Sequence, residues 1–206
     1  MFRNDDGTDV QAFVANITEV VSDTGNIEVE ATVASLIEAT AVAVSIAVSF
    51  GGKSSVNLSG GGAESTNTLL RKVLAFITGT NSVTALAGTV EVSATDESTI
   101  VANVDAVSLS GTASIGVALA RNYIGWEDSD TKGTDQVLAH VDGSTVNTKN
   151  LVLLADSRPT ITAEVGAGSV GFASTDVLNG TTVAASGAGV EATNKISTDV
   201  RAYITT

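Results

Sequence analysis

The chain is predicted to be all-β: a parallel β-solenoid of the right-handed β-helix kind, built from three repeats of about 63 residues. Three observations predict it. One five-residue strand recurs four times, at residues 10–14, 73–77, 137–141 and 200–204, at intervals of 63, 64 and 63 residues. Hydrophobic content is 43% while aromatics are 4% with a single Pro, so any core is made of small and β-branched side chains, which suit a narrow sheet-lined interior. Two-residue hairpin turns are sparse, Asp142-Gly143 and Asn179-Gly180 being the good candidates, which favours parallel coils over an antiparallel meander.

The repeats divide the 206 residues into one solenoid: 10–72, 73–136 and 137–199, with 200–206 opening a fourth. The middle copy shows the order of elements most clearly. Val73-Leu74-Ala75-Phe76-Ile77 is followed by the turn Thr78-Gly79-Thr80-Asn81, a short strand over 82–86, a turn at Ala87-Gly88 and a period-2 strand over 89–94. Strands over 98–104 and 105–110 come next, and 113–124 closes the unit. In the first copy 26–31 answers 89–94, and in the third 150–155 does. Residues 144–147 answer 81–84, 161–165 answer 100–104, and 189–196 loosely match 116–124, with Asn194 standing where Asn122 does. Coils of roughly 20 residues, stacked about 4.8 Å apart, would give two or three rungs per repeat.

The pleat sends alternate residues to opposite faces. Val73, Ala75 and Ile77 are therefore expected in the core, with Leu74 and Phe76 outside. Phe13, Phe76, His140 and Tyr203 then form one column along the surface. Asn122 and Asn194 are expected to stack amides between rungs. What varies is loop content: 51–70 in the first copy, 125–136 in the second, and extra residues near 174–182 in the third. Gly60-Gly61-Gly62 lacks the lysine and the strand-to-helix setting of a phosphate loop, so it reads as a flexible loop tip. The most apolar stretch, 32–50, is interrupted by Glu38 and aligns with the repeat, so it reads as buried strands and not as a membrane span.

The net charge of −13 argues against nucleic-acid binding, because phosphate backbones would be repelled. With no cysteine, disulfides play no part. Residues 1–7 lack the basic-then-apolar order of an export leader.

Val-x-Ala-aromatic-Ile, the Gly-x-Val-x-x-Ala strand, and Ala118-Leu119-Ala120-Arg121-Asn122-Tyr123-Ile124-Gly125-Trp126 ahead of an acidic loop carry a resemblance. These units resemble the β-strand repeats of giant bacterial surface proteins of the adhesin and haemagglutinin type. The resemblance implies a secreted or cell-surface solenoid forming a stalk, filament or adhesive fibre. Its expected partners are further copies stacked head to tail, flanking repeats of a longer chain, or cell-surface glycans.

The acidic loop Glu127-Asp128-Ser129-Asp130-Thr131-Lys132-Gly133-Thr134-Asp135 places carboxylates at alternate positions before a glycine, so Asp128, Asp130 and Asp135 are candidate Ca²⁺ ligands. Lys132 stands where such a loop would want an oxygen, and the alternative is a solvated acidic loop. Asn4-Asp5-Asp6-Gly7-Thr8-Asp9 is its counterpart before the first repeat. His140 is the one histidine, so any Ser-His-Asp chemistry would run through it, and its place in the aromatic column argues against that. Asp96-Glu97 reads as a pair of exposed turn acids. No catalytic constellation is expected, and a carbohydrate-binding or polysaccharide-degrading β-helix is the alternative to a structural module.

Overall fold

The computed structural model describes residues 2–3, 10–48, 57–172 and 184–206. After β1 (Phe2–Arg3), the first coil runs β2 (Val10–Ala15), β3 (Glu19–Val21), β4 (Ile27–Val33), β5 (Leu36–Ala47) and β6 (Leu58–Leu69). The second comprises β7 (Lys72–Thr78), β8 (Ser82–Asp96), β9 (Thr99–Ser110) and β10 (Ala113–Ile124). The third comprises β11 (Gln136–Asp142), β12 (Val146–Ser157), β13 (Thr160–Gly171) and β14 (Ala185–Ile196), and β15 (Asp199–Thr205) follows. Four parallel sheets result. Sheet I is β2-β7-β11-β15, and sheet II joins β3 and β4 to β8 and then β12. Sheet III is β5-β9-β13, and sheet IV is β1-β6-β10-β14. The fold is the parallel solenoid expected.

The size of the coil differs from expectation. Val10, Val73, Val137 and Val200 are direct neighbours on adjacent strands, so each repeat makes one turn and not two or three. Residues that looked like strand breaks explain the difference. Ala87-Gly88 lies inside the 15-residue β8, and the runs 98–104 and 105–110 merge into the 12-residue β9. Pairing from the coils above and below holds these residues extended, and tertiary pairing outweighs a local turn preference.

Gly60-Gly61-Gly62 is likewise not a loop tip. It lies within β6, paired with Ile115, Gly116 and Val117. A side chain at Gly61 would come within 2.9 Å of the Val107 carbonyl oxygen, so the close approach of sheets III and IV demands glycine there. The length variation near 174–182, the pair Asn179-Gly180 and the acidic segment 4–9 lie outside the described residues.

Two lobes make up the interior. Sheet I packs on the later half of sheet II through Val73, Ala75, Ile77, Val137, Ala139 and Val141 against Val90, Val92 and Ala94, all buried. Burial of each valine or isoleucine contributes about 1.5–3 kcal/mol. Sheets III and IV pack through a thinner layer of Val104, Ala106, Ala118 and Ala120. Near its outer end this layer turns to serine, where Ser59 shares hydrogen bonds with Ser45 at 2.9 Å and Ser108 at 2.8 Å. Leu69, Ile100 and Ile124 close the joint between the lobes. At the corner from sheet I to sheet II the left-handed residues Asn16, Gly79 and Gly143 (φ 55°, 56° and 51°) repeat in each coil, donating to Thr78, Asp142 and Thr205 carbonyls in the next.

Candidate functional site

The aromatic column forms as expected. Phe13, Phe76, His140 and Tyr203 stack with ring centroids 5.2, 5.1 and 4.9 Å apart and planes within 10° of parallel. In-register pairing of β2, β7, β11 and β15 dictates this, because identical rows project identical positions about 4.8 Å apart. Each stacked pair contributes about 0.5–1.5 kcal/mol beyond its area.

His140 therefore sits between Phe76 and Tyr203, and its Nδ1 is buried without a hydrogen-bond partner, so the ring lacks the carboxylate that orients a catalytic imidazole. Burial lowers its pKa from the ordinary 6.5, against the opposing pull of Asp142. A depressed folded-state value means that the unfolded chain takes the proton first as pH falls. The stability His140 contributes is thus present above the unfolded value of 6.5 and is lost as pH drops through the folded value. His140→Phe is expected to flatten that acid loss in melting curves recorded between about pH 7 and 4, a range set by the histidine and carboxylate pKa values; an unchanged pH profile would show that the imidazole is not its source.

The asparagines also form a ladder. Asn67 donates its amide to Asn122 at 2.8 Å, and Asn122 donates to Asn194 at 2.9 Å. Asn67 and Asn122 are buried, so the interior polarity is satisfied rung to rung.

Where the lobes meet lies a buried charged joint that sequence reasoning missed. Asp96 is 0% exposed and pairs with Arg71, itself 3% exposed, which corrects the expectation of an exposed turn acid; of that pair Glu97 alone is exposed. Asp96 also accepts the Ser98 backbone N–H at 3.0 Å. Asp135, 3% exposed, accepts the Arg71 backbone N–H at 3.0 Å and the Thr198 hydroxyl at 2.8 Å, so one carboxylate ties three coils together. Desolvation raises the Asp135 pKa, with Arg71 opposing it. A signal for this joint was present: Arg71, Asp135 and Thr198 share one position of the repeat, as do Val33, Asp96 and Ser157.

The acidic loop follows Gly125, whose positive φ of 72° turns the chain away from β10. Trp126 and Lys132 form an isolated antiparallel bridge. Asp128 accepts the backbone N–H groups of Asp130 at 2.8 Å and Thr131 at 2.7 Å, bracing the tip. Lys195 of the next coil lies 4.6 Å from the Trp126 ring centre and donates to the Ser129 carbonyl, latching the loop across two coils. The three candidate calcium ligands are not brought together, because Asp135 is committed to the interior joint. Among the described residues no three carboxylate or imidazole groups converge as metal ligands.

The outer face of sheet II carries a shallow cavity of about 250 Å³ lined by Glu28, Glu30, Glu91, Ser93, Thr95 and Leu154. Its glutamates come from adjacent strands in register, Glu28 beside Glu91. No family model, curated protein or solved structure matches this chain.

Proposed function

We propose that the chain is a non-enzymatic structural module, a stretch of solenoid from an extracellular or cell-surface fibre or adhesin stalk. The observation that carries this reading is the continuity of four stacked columns through every coil: aromatic, asparagine, serine and small aliphatic. A solenoid stabilised by coil-on-coil contact extends without limit by adding like coils.

One turn per repeat makes the fibre costly in sequence. Each 63-residue coil advances it by about 4.8 Å, so a stalk of about 100 Å takes roughly 20 coils.

The test combines assays against a panel of bacterial and plant polysaccharides with electron microscopy of a chain extended by additional coils. Unbranched rods and no turnover are expected; reproducible polysaccharide cleavage would overturn the reading. The second reading, a carbohydrate-binding or polysaccharide-degrading β-helix, draws on the glutamate-lined cavity of sheet II, and a glycan array with Glu91→Gln as comparison distinguishes it.

For calcium, the proposal narrows to Asp128 and Asp130 at the loop tip. Added calcium is expected to raise the melting temperature, with reversal by chelator and loss in Asp130→Asn. No shift with calcium or chelator would remove the site.

A further inference from the structure

Near the outer end of sheet IV the usual distribution of side chains is reversed. Ser114, Gly116 and Ala118 of β10 face inward, while Ile115 and Val117 face solvent at 54% and 37% exposure. These two form an apolar ridge on the central strand. On either side the outward positions in register are glycines: Gly60 and Gly62 on β6, Gly187 and Gly189 on β14. None has a positive φ, and a side chain at Gly60, Gly187 or Gly189 would meet nothing within 4 Å. Glycine weakens a strand interior by about 0.5–1 kcal/mol relative to alanine. Nothing within the described chain accounts for that cost at Gly60, Gly187 and Gly189.

We propose that this face pairs with the same face of a second copy, about a two-fold axis parallel to the strands. β10 of each molecule then lies over β14 of the other. Because Ile115 and Val117 are level with Gly187 and Gly189, the ridge of each copy seats in the furrow of its partner. The charges agree with the same arrangement. Leu119 is level with Glu191 and Arg121 with Thr193, so Arg121 of one copy comes within one row of the partner's Glu191 on both sides of the axis. Arg121 is already drawn to Glu64 of its own chain, whereas Glu191 accepts the Thr193 hydroxyl and makes no ion pair among the described residues. A bilayer is the poorer occupant, because a chain of net charge −13 is repelled by anionic lipid, and open strand edges are costly in hydrocarbon.

Two strands of each copy by about nine residues give a shared face of roughly 300 Å², well under half of the ~800 Å² per partner in a stable complex. The three-coil chain therefore pairs weakly, and the contact grows with every coil added.

The chain has no cysteine, so single cysteines report the contact without interference. Ile115→Cys protein mixed with Gly187→Cys protein is expected to cross-link under mild oxidation at least about tenfold faster than Ile115→Cys mixed with Glu164→Cys, on the outer face of sheet III. Gly187→Val, into open space, should leave the melting temperature unchanged and, introduced into the Val117→Cys and Gly189→Cys proteins, suppress the cross-linking this level pair also shows. Equal rates for the test and control pairs would overturn the proposal. So would a lower melting temperature in Gly187→Val, which would mean that the chain itself fills the furrow. Binding of wild-type protein to phosphatidylcholine vesicles, lost in Ile115→Lys and without face-specific cross-linking, would assign the face to membrane instead.

Discussion

Asp96→Ala is expected to destabilise the chain by about 3–5 kcal/mol, read as a fall in the denaturant midpoint. The substitution removes the carboxylate facing Arg71, whose Nε and Nη1 are already buried without partners. It leaves an uncompensated guanidinium in the joint between the lobes, and the Ser98 N–H loses its acceptor as well. Removing both charges should behave differently. Arg71→Leu with Asp96→Val is expected to recover most of the loss, because an apolar pair pays no desolvation cost. The first coil carries an apolar side chain, Val33, at the position of Asp96. Equal damage from the single and double variants would show that volume, and not charge, governs the joint.

Gly116→Val is expected to be comparably severe, about 3 kcal/mol or more, at the upper end of what overpacking costs. A Cβ at Gly116 would lie 2.6 Å from the Gly168 carbonyl oxygen and 3.5 Å from that of Ala106. Both are backbone atoms of sheet III, so relief requires prising apart two sheets and not rotating a side chain. Gly189→Ala on the same sheet points into open space and should be neutral or slightly stabilising. If the two substitutions have equal effects, the close approach of sheets III and IV is wrong.

The parallel all-β architecture, the core rows and the aromatic column were legible in the sequence because they depend on period and spacing. Val73, Ala75 and Ile77 face inward by the pleat alone, and the column follows once the intervals of 63 and 64 residues are in register. The number of turns per repeat was not legible. Ala87-Gly88 and Gly60-Gly61-Gly62 carry the local signature of turns, and only contact with neighbouring strands keeps them extended. Asp96 misled for a related reason. An acid beside Ser and Glu at a strand end looks solvated until the fold places a buried arginine, 25 residues away in sequence, against it. For the acidic loop, its sequence showed closely spaced oxygens but not that Asp135 turns inward to bind Arg71 and Thr198.

One repeat makes one turn of a stackable solenoid. Small-angle scattering from chains of three, six and nine coils measures it most directly. The extent along the stacking axis should grow by about 4.8 Å for each added 63-residue repeat, at constant cross-section, so nine coils exceed three by about 29 Å along that axis. Growth of about 10–14 Å per repeat, the mark of two or three rungs in each, would rule out one turn per repeat, as would particles that swell in all directions.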